Sequence, residues 1–359
     1  MTPTLQLPAT SLWRPSQART QPVLIAGPCG AETREQVLAA ALALAEQGLS
    51  LMRLGVWKAR TRPNGFAGAG DVALEWVQEA RRLTGLKILA EVGNVAQIEA
   101  SLKAGLDGVW IGARTTVNPF AMQELADALR GTGLPVMVKN PVNPDLNLWI
   151  GGIERLNKAG IEDLAACHRG FSLMNRAQYR NAPAWEIPLE LKRLLPDLPL
   201  ICDPSHIAGK AAWVPEVARK AMNLGFDGLM VEVHPNPAQA LSDAAQQLDF
   251  EQFRRLRLSL TLRRADSPDE DYRHQLDAMR AQIDEMDHAL LALLARRMEV
   301  VRQIGHLKSE NEVRYFQLDR FRQLFTDRML AAETLGLSDE FTQRLFQLLH
   351  LEALEQQGE

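Results

Sequence analysis

The sequence predicts an α/β fold, a (β/α)8 TIM barrel, followed by an all-α three-helix domain. Three observations predict it. Eight short apolar segments alternate with helical ones between residues 22 and 262. Several of those segments end in polar clusters, which is how buried parallel strands deliver chemistry to a barrel mouth. Near residue 263 the strand signals stop, and apolar residues then recur at three and four residue steps.

In chain order, residues 1–21 hold Pro3, Pro8 and Pro15 without periodicity and read as an arm. Strand signals follow at Val23–Ala26, Leu51–Leu54, Ile88–Glu91, Gly108–Ile111, Pro135–Lys139, Leu164–His168, Leu200–Cys202 and Gly228–Val231. Between them lie helical segments such as Glu35–Gln47, Val72–Leu83, Ala96–Ala104, Ala121–Leu129 and Val214–Asn223, and Phe250–Leu262 follows the last strand. Eight strand–helix units in about 240 residues are what such a barrel requires. A doubly wound sheet would also alternate, but no G-x-G-x-x-G follows the first strand.

Residues 263–271 are charged, contain Pro268 and read as a linker into a helical domain over 272–359. Leu276, Met279, Ile283, Met286, Leu290 and on to Leu307 keep one helical period, so a single helix can run for nearly forty residues. Its length, about 55 Å at 1.5 Å per residue, is too great for a self-contained globular helix. It must pack against a partner. Two shorter helices are expected at Leu318–Leu335, stopped at Gly336, and at Asp339–Gln357, with Ser338 as N-cap.

Composition narrows the function. Of 359 residues 46% are apolar, enough for a sizeable core, and a net charge of -4 argues against nucleic acid or an anionic membrane as partner. The N-terminus has no basic segment followed by an apolar one, so a cytoplasmic protein with no membrane partner is expected. Three widely spaced cysteines, Cys29, Cys167 and Cys202, suit a reducing compartment.

Chemistry gathers at the strand ends. Cys29 follows the first strand, His206 the seventh, Glu232 and then Asp243 the eighth. One thiolate, one imidazole and two carboxylates make a mixed-ligand site for a divalent transition metal. Arg53, Lys58 and Arg60 follow the second strand, Arg114 the fourth, Lys139 ends the fifth, and Arg169 follows the sixth. A lone Lys or Arg is usually a solvated surface residue. Six on one rim of an acidic protein imply an anionic ligand with more than one phosphate or carboxylate. His234 takes no role in this reading, and His168 reads as a site neighbour or a core histidine.

These residues resemble a known family. Gly27-Pro28-Cys29, Lys58-Ala59-Arg60-Thr61, Gly112-Ala113-Arg114, Asp203-Pro204-Ser205-His206, Glu232-Val233-His234-Pro235 and Ser242-Asp243 are similar to the motifs of type I beta 3-deoxy-D-arabino-heptulosonate 7-phosphate (DAHP) synthase, over residues 22 to about 262. The resemblance implies condensation of phosphoenolpyruvate with erythrose 4-phosphate, releasing phosphate, at the first step of the shikimate pathway. It implies Cys29, His206, Glu232 and Asp243 as ligands of a divalent ion (manganese, iron, cobalt or zinc) that polarises the aldehyde. Arg114, the Ala113 backbone, Lys139 and Arg169 would take the phosphate of phosphoenolpyruvate, with Arg53 and Lys58 on its carboxylate. Lys58 would also protonate the aldehyde oxygen. Arg60 and Thr61 would take the phosphate of erythrose 4-phosphate, and Glu91 would position water or substrate. Ala59 stands where the family usually has proline, and Val117 where glutamine often precedes Asn118. Ala59 leans mildly towards 3-deoxy-D-manno-octulosonate 8-phosphate synthase, which uses arabinose 5-phosphate; Arg60-Thr61 leans against it.

Residues 272–357 resemble the all-helical AroQ class of chorismate mutase, through Arg280, Asp287, Arg297, Lys308, Asp319-Arg320 and Gln357. Arg297 and Lys308 are eleven residues apart, so they share a helix face about 16 Å apart. Arg280 lies roughly 100° round from Arg297 and cannot join it from the same chain. The resemblance supplies the answer, a homodimer in which Arg280 crosses to the partner's pocket. Chorismate would rearrange to prephenate with Lys308 and Gln357 on the ether oxygen and Arg280, Arg297 and Arg320 on the carboxylates. Phe321, Gln317 and Ala353 replace residues that commonly contact substrate, which favours weak activity. A second reading follows, in which the helices sense prephenate or chorismate and inhibit the barrel.

Overall fold

The computed structural model describes residues 4–14, 22–59, 65–173, 178–261, 263 and 266–358. They form two compact units, Met1–Ala265 and Asp266–Glu359.

The first unit runs β1 (Val23–Gly27), α1 (Arg34–Glu46), β2 (Leu51–Leu54), α2 (Val72–Thr84), β3 (Lys87–Val92), α3 (Val95–Ala104) and β4 (Gly108–Ile111). It continues with α4 (Ala113–Thr116), α5 (Pro119–Leu129), β5 (Val136–Lys139), α6 (Leu146–Lys158), β6 (Leu164–His168), α7 (Glu186–Leu194) and β7 (Leu200–Cys202). It ends with α8 (Pro204–Ala208), α9 (Val214–Asn223), β8 (Gly228–Glu232) and α10 (Phe250–Ser259). All strand pairs are parallel, and β1 pairs with β8 to close the barrel. The strand segments expected from the sequence are therefore observed, within a residue or so at each end.

Strand side chains alternate inward and outward, and that period builds the site. Ile25, Leu51, Leu89, Met137, Cys167, Ile201 and Met230 fill the barrel interior together with Trp110. Two residues further along their strands stand Arg53, Glu91, Lys139, Arg169, Asp203 and Glu232. An apolar plug thus carries a polar layer at the end where the strands finish. The outward-facing residues pack under the helices in a second core.

The arm is not detached from this unit. Trp13 is fully buried among the interior apolar residues and donates its indole N–H to the Asp163 carbonyl at 3.2 Å. Ser11 adds a bond to the Asp163 carboxylate at 2.6 Å. Residues 11–13 therefore close the end of the barrel opposite the polar layer.

The second unit is α11 (Glu270–Glu310), α12 (Leu318–Thr334) and α13 (Asp339–Gly358). The α11 helix spans 41 residues. Asp269 caps it by accepting from Tyr272 N at 3.1 Å. Much of its apolar stripe is in the open: Met279, Met286, Leu290 and Leu293 are each more than half exposed. Among the described residues no helix is long and apolar enough to cross a membrane.

Candidate active sites of the two units

Most candidate side chains of the barrel stand at or just past a strand end, while Asp243 and Arg180 come from longer connections. Cys29 Sγ lies 3.2 Å from Asp243 Oδ2, and the donor atoms of Cys29, Glu232 and Asp243 all lie within 4.8 Å of one another. His206, on the first turn of α8, stands beside this trio, its Nε2 3.8 Å from Glu232 Oε1. Lys58 Nζ sits among them, against Cys29 Sγ and 3.7 Å from Asp243 Oδ2. An ammonium thus occupies the place that the donors leave for a positive charge.

Beneath the trio lies a buried ion network. Asp203 Oδ2 receives Lys139 Nζ at 2.7 Å and stands 2.8 Å from His206 Nδ1. Arg53 Nη2 lies 3.1 Å from Glu232 Oε1, with its guanidinium over the Trp110 ring at 5.1 Å. Burial opposes ionisation of Asp203, but His206, Lys139 and Arg53 outweigh it and hold this carboxyl well below the usual range. The same contest, won by Arg180, Lys58 and His206, holds Asp243 far below it. Burial pushes His206 downward against the pull of Asp203 and Glu232, which favours the neutral, ligating imidazole. Burial first, then Glu232, pushes the Cys29 thiol up.

The donor set fits a divalent transition metal. Glu232 Oε1 is buried and faces the gap; Arg53 pairs with it at 3.1 Å but makes no well-aligned hydrogen bond to it. A thiol raised this far, even with the Lys58 ammonium beside it, keeps its proton until a metal ion coordinates it, which deprotonates thiols outright.

The cleft above holds about 380 Å³ and is lined by cations, among them Arg53, Lys58, Arg114, Arg169 and Arg180. Arg169 is 8% exposed. Burial lowers it to about 10, with Arg180 and Arg114 adding to the depression against the pull of Asp203. Three guanidiniums around one cleft suit an anion. Ala113, buried, opens α4 beside Arg114. Glu91 lines the cleft and accepts from Trp110 Nε1 at 3.0 Å. Arg60 and Thr61 lie outside the described residues. His168 is a core histidine: Trp149, Phe171, Trp185 and Phe226 surround it, and burial lowers it to about 3.

Three residues of this site carry no role in the sequence reading. Asp203 had a signal, since a strand followed by Asp-Pro marks a helix N-cap, and Asp203 does accept from His206 N at 3.1 Å. Arg180 and Gln246 had none, because both come from irregular segments that only the fold brings inward.

In the helical unit Lys308 Nζ donates to Gln357 Oε1 at 3.2 Å. Gly305 makes this approach possible, because a Cβ there would lie 2.7 Å from the Gln357 carbonyl oxygen. Arg297 Nη1 donates to the Leu349 carbonyl at 3.2 Å and lines a hollow of about 70 Å³ with Phe321, Arg328, Phe346 and His350. Burial, then the nearby Arg328, lowers Arg297. Arg320 is not in this hollow; it is exposed and bonded to Gln323 at 2.9 Å, and Arg328, eight residues on, shares the hollow with Arg297. Arg280 is exposed on α11 and pairs with Asp277 at 3.3 Å.

Comparison with known proteins finds a family match for each unit. Residues 17–263 match the DAHP synthetase I family and residues 279–358 match chorismate mutase type II. A phospho-2-dehydro-3-deoxyheptonate aldolase of Thermotoga maritima is 32% identical over 233 residues, 65% of this chain and 67% of the relative. A 2-dehydro-3-deoxyphosphooctonate aldolase of Azoarcus sp. is 28% identical over 241 residues, 61% of this chain and 82% of the relative. The crystal structure of the Thermotoga maritima DAHP synthase superposes with a TM-score of 0.60 at 30% identity, covering 67% of this chain and 68% of that one. The chain belongs to the DAHP synthetase I family and carries a chorismate mutase type II domain fused behind its barrel.

Proposed function

We propose that the barrel condenses phosphoenolpyruvate with erythrose 4-phosphate, using a divalent metal, to give DAHP and phosphate. The observation that carries this reading is a cleft lined by Arg114, Arg169 and Arg180 beside a thiol and two carboxylates, with the His206 imidazole next to them. Lewis-acid polarisation of the aldehyde oxygen is the chemistry a cation on Cys29, His206, Glu232 and Asp243 supplies when bound. Arg114, the Ala113 N–H, Lys139 and Arg169 hold the phosphate of phosphoenolpyruvate, and Arg53 and Lys58 face its carboxylate. C3 of phosphoenolpyruvate bonds to the aldehyde carbon and Lys58 protonates the aldehyde oxygen. Water, positioned by Glu91, adds at C2, and phosphate leaves. Arg60 and Thr61 take the second phosphate.

The helical domain rearranges chorismate to prephenate as a homodimer. Its exposed apolar α11 stripe and the solvent-facing Arg280 support a partner that covers the first and receives the second. Lys308 and Gln357 serve the ether oxygen, and Arg297 a carboxylate. Phe321 and Ala353 in place of polar contacts favour a second role, binding of prephenate or chorismate to inhibit the barrel. The test is phosphate release by the full chain with erythrose 4-phosphate against arabinose 5-phosphate, each with and without prephenate, alongside chorismate consumption. Release with the first sugar, suppressed by prephenate, is expected. Release with arabinose 5-phosphate alone would overturn the substrate assignment.

A further inference from the structure

The segment between β6 and α7 brings Arg180 and Asn181 onto the outer side of the ligand cluster. Arg180 Nη1 donates to Asp243 Oδ1 at 3.0 Å and to Gln246 Oε1 at 2.6 Å. Gln246, 1% exposed, passes the contact inward, its Nε2 donating to Glu232 Oε2 at 2.6 Å. One guanidinium nitrogen thereby reaches both carboxylates, each through one oxygen. The other oxygens, Asp243 Oδ2 and Glu232 Oε1, face the cluster, at 3.2 Å from Cys29 Sγ and 3.8 Å from His206 Nε2.

The neighbouring residue works in the same direction. Asn181 Oδ1 accepts from Arg169 Nη1 at 2.9 Å, and its Nδ2 donates to the His206 carbonyl at 2.7 Å. Backbone bonds from Arg180 N to Ala208 O (3.4 Å) and Asn181 N to Ile207 O (3.2 Å) fix the pair to α8. Gly209 leaves the route open: its φ is +69°, and a Cβ there would lie 2.3 Å from Arg180 Cβ.

We propose that Arg180, acting with Gln246, is a positioning residue for the cation site, tying the outer oxygens of Asp243 and Glu232 so that one oxygen of each faces the cluster, and so setting how tightly and in what geometry a divalent transition metal binds. This rests on the metal reading given above. Two carboxylates near one another repel and turn freely unless their outer oxygens are tied. A planar guanidinium can address two acceptors at once, which an ammonium on a flexible stem does less well.

The test is titration of the chelator-stripped full chain with Co²⁺, read by the sulfur-to-cobalt charge-transfer band of Cys29. Arg180→Ala is expected to weaken Co²⁺ binding about 10- to 100-fold and to shift the band, as loss of an outer-shell partner does. Arg180→Lys should recover part of the affinity. Gln246→Leu should weaken binding while leaving the thermal midpoint near that of the unaltered chain, and it decides the matter if Arg180→Ala does not fold. Affinity within about threefold and an unmoved band in a folded variant would overturn the proposal. A thermal loss with unchanged Co²⁺ affinity would also overturn it, by reducing Arg180 to a structural role. Absence of the band in the unaltered chain would overturn the metal reading itself, and this proposal with it.

Discussion

Unlike the helical unit, which leaves Arg280 and most of its apolar stripe in the open, the barrel gathers its cations in a walled interior. Its Arg53, Lys139, Asp203 and Glu232 are each at most 4% exposed and are paired with one another. A closed sheet makes its own interior, so a polar layer can be walled in and its charges set against each other. Three helices make no such interior. Arg297 and Lys308 keep company with carbonyls, while Arg280 and most of the α11 stripe face solvent. The barrel site is therefore organised by folding, whereas in the proposed function the helical site is organised by association.

The comparison can be broken most sharply at the barrel cluster. Cys29→Ala should lower kcat/KM for phosphate release by more than about 100-fold, beyond the usual cost of an outer-shell partner, and leave chorismate conversion unchanged. Steady-state assays of both reactions on one preparation check this. Met286→Asp should do the converse. By placing a charge on the exposed stripe it should give monomers in sedimentation and remove mutase activity, while phosphate release changes less than about twofold, as for a surface change remote from a site. Lys308→Ala should cost about 10²–10³ in mutase kcat, the scale for losing one charge-stabilising donor, with the dimer intact. Arg169→Ala should raise the KM for phosphoenolpyruvate about 10- to 100-fold, from the loss of a charged hydrogen bond.

The smallest effect expected is on stability. His168 titrates near 6.5 when unfolded and at about 3 in the caged native state, so the unfolded chain binds the extra proton between those values. Native stability is therefore lost as pH falls below 6.5, amounting to about 2 kcal/mol near pH 5. Urea unfolding of His168→Leu at about pH 7 and about pH 5 should show a flatter dependence than the unaltered chain.

Much of this was legible in the sequence because a barrel strand is a local signal. Each apolar run ends where its polar residue begins, so Cys29, Arg53, Glu91, Lys139, Arg169, His206 and Glu232 could be placed at one mouth from order alone. Asp243 was grouped with them as a residue following the eighth strand, although ten residues separate it from Glu232. Arg180 and Gln246 were not legible, because neither sits in a periodic segment and their shared contact joins residues 66 apart. Trp13 was hidden for the same reason: an arm with three prolines shows no period, yet its indole completes the barrel floor. In the helical unit the α11 period was plain, but which arginine of α12 turns inward depends on the rotation of α12, and Arg328 rather than Arg320 lines the hollow.

The central claim is that a cation held by Cys29, His206, Glu232 and Asp243 is required for the barrel reaction. The most direct measurement is phosphate release from phosphoenolpyruvate and erythrose 4-phosphate by the chelator-stripped full chain, before and after a single divalent ion is restored. The account predicts silence, then recovery in the unaltered chain and none in Cys29→Ala. Undiminished release after stripping, or equal recovery in Cys29→Ala, would contradict it.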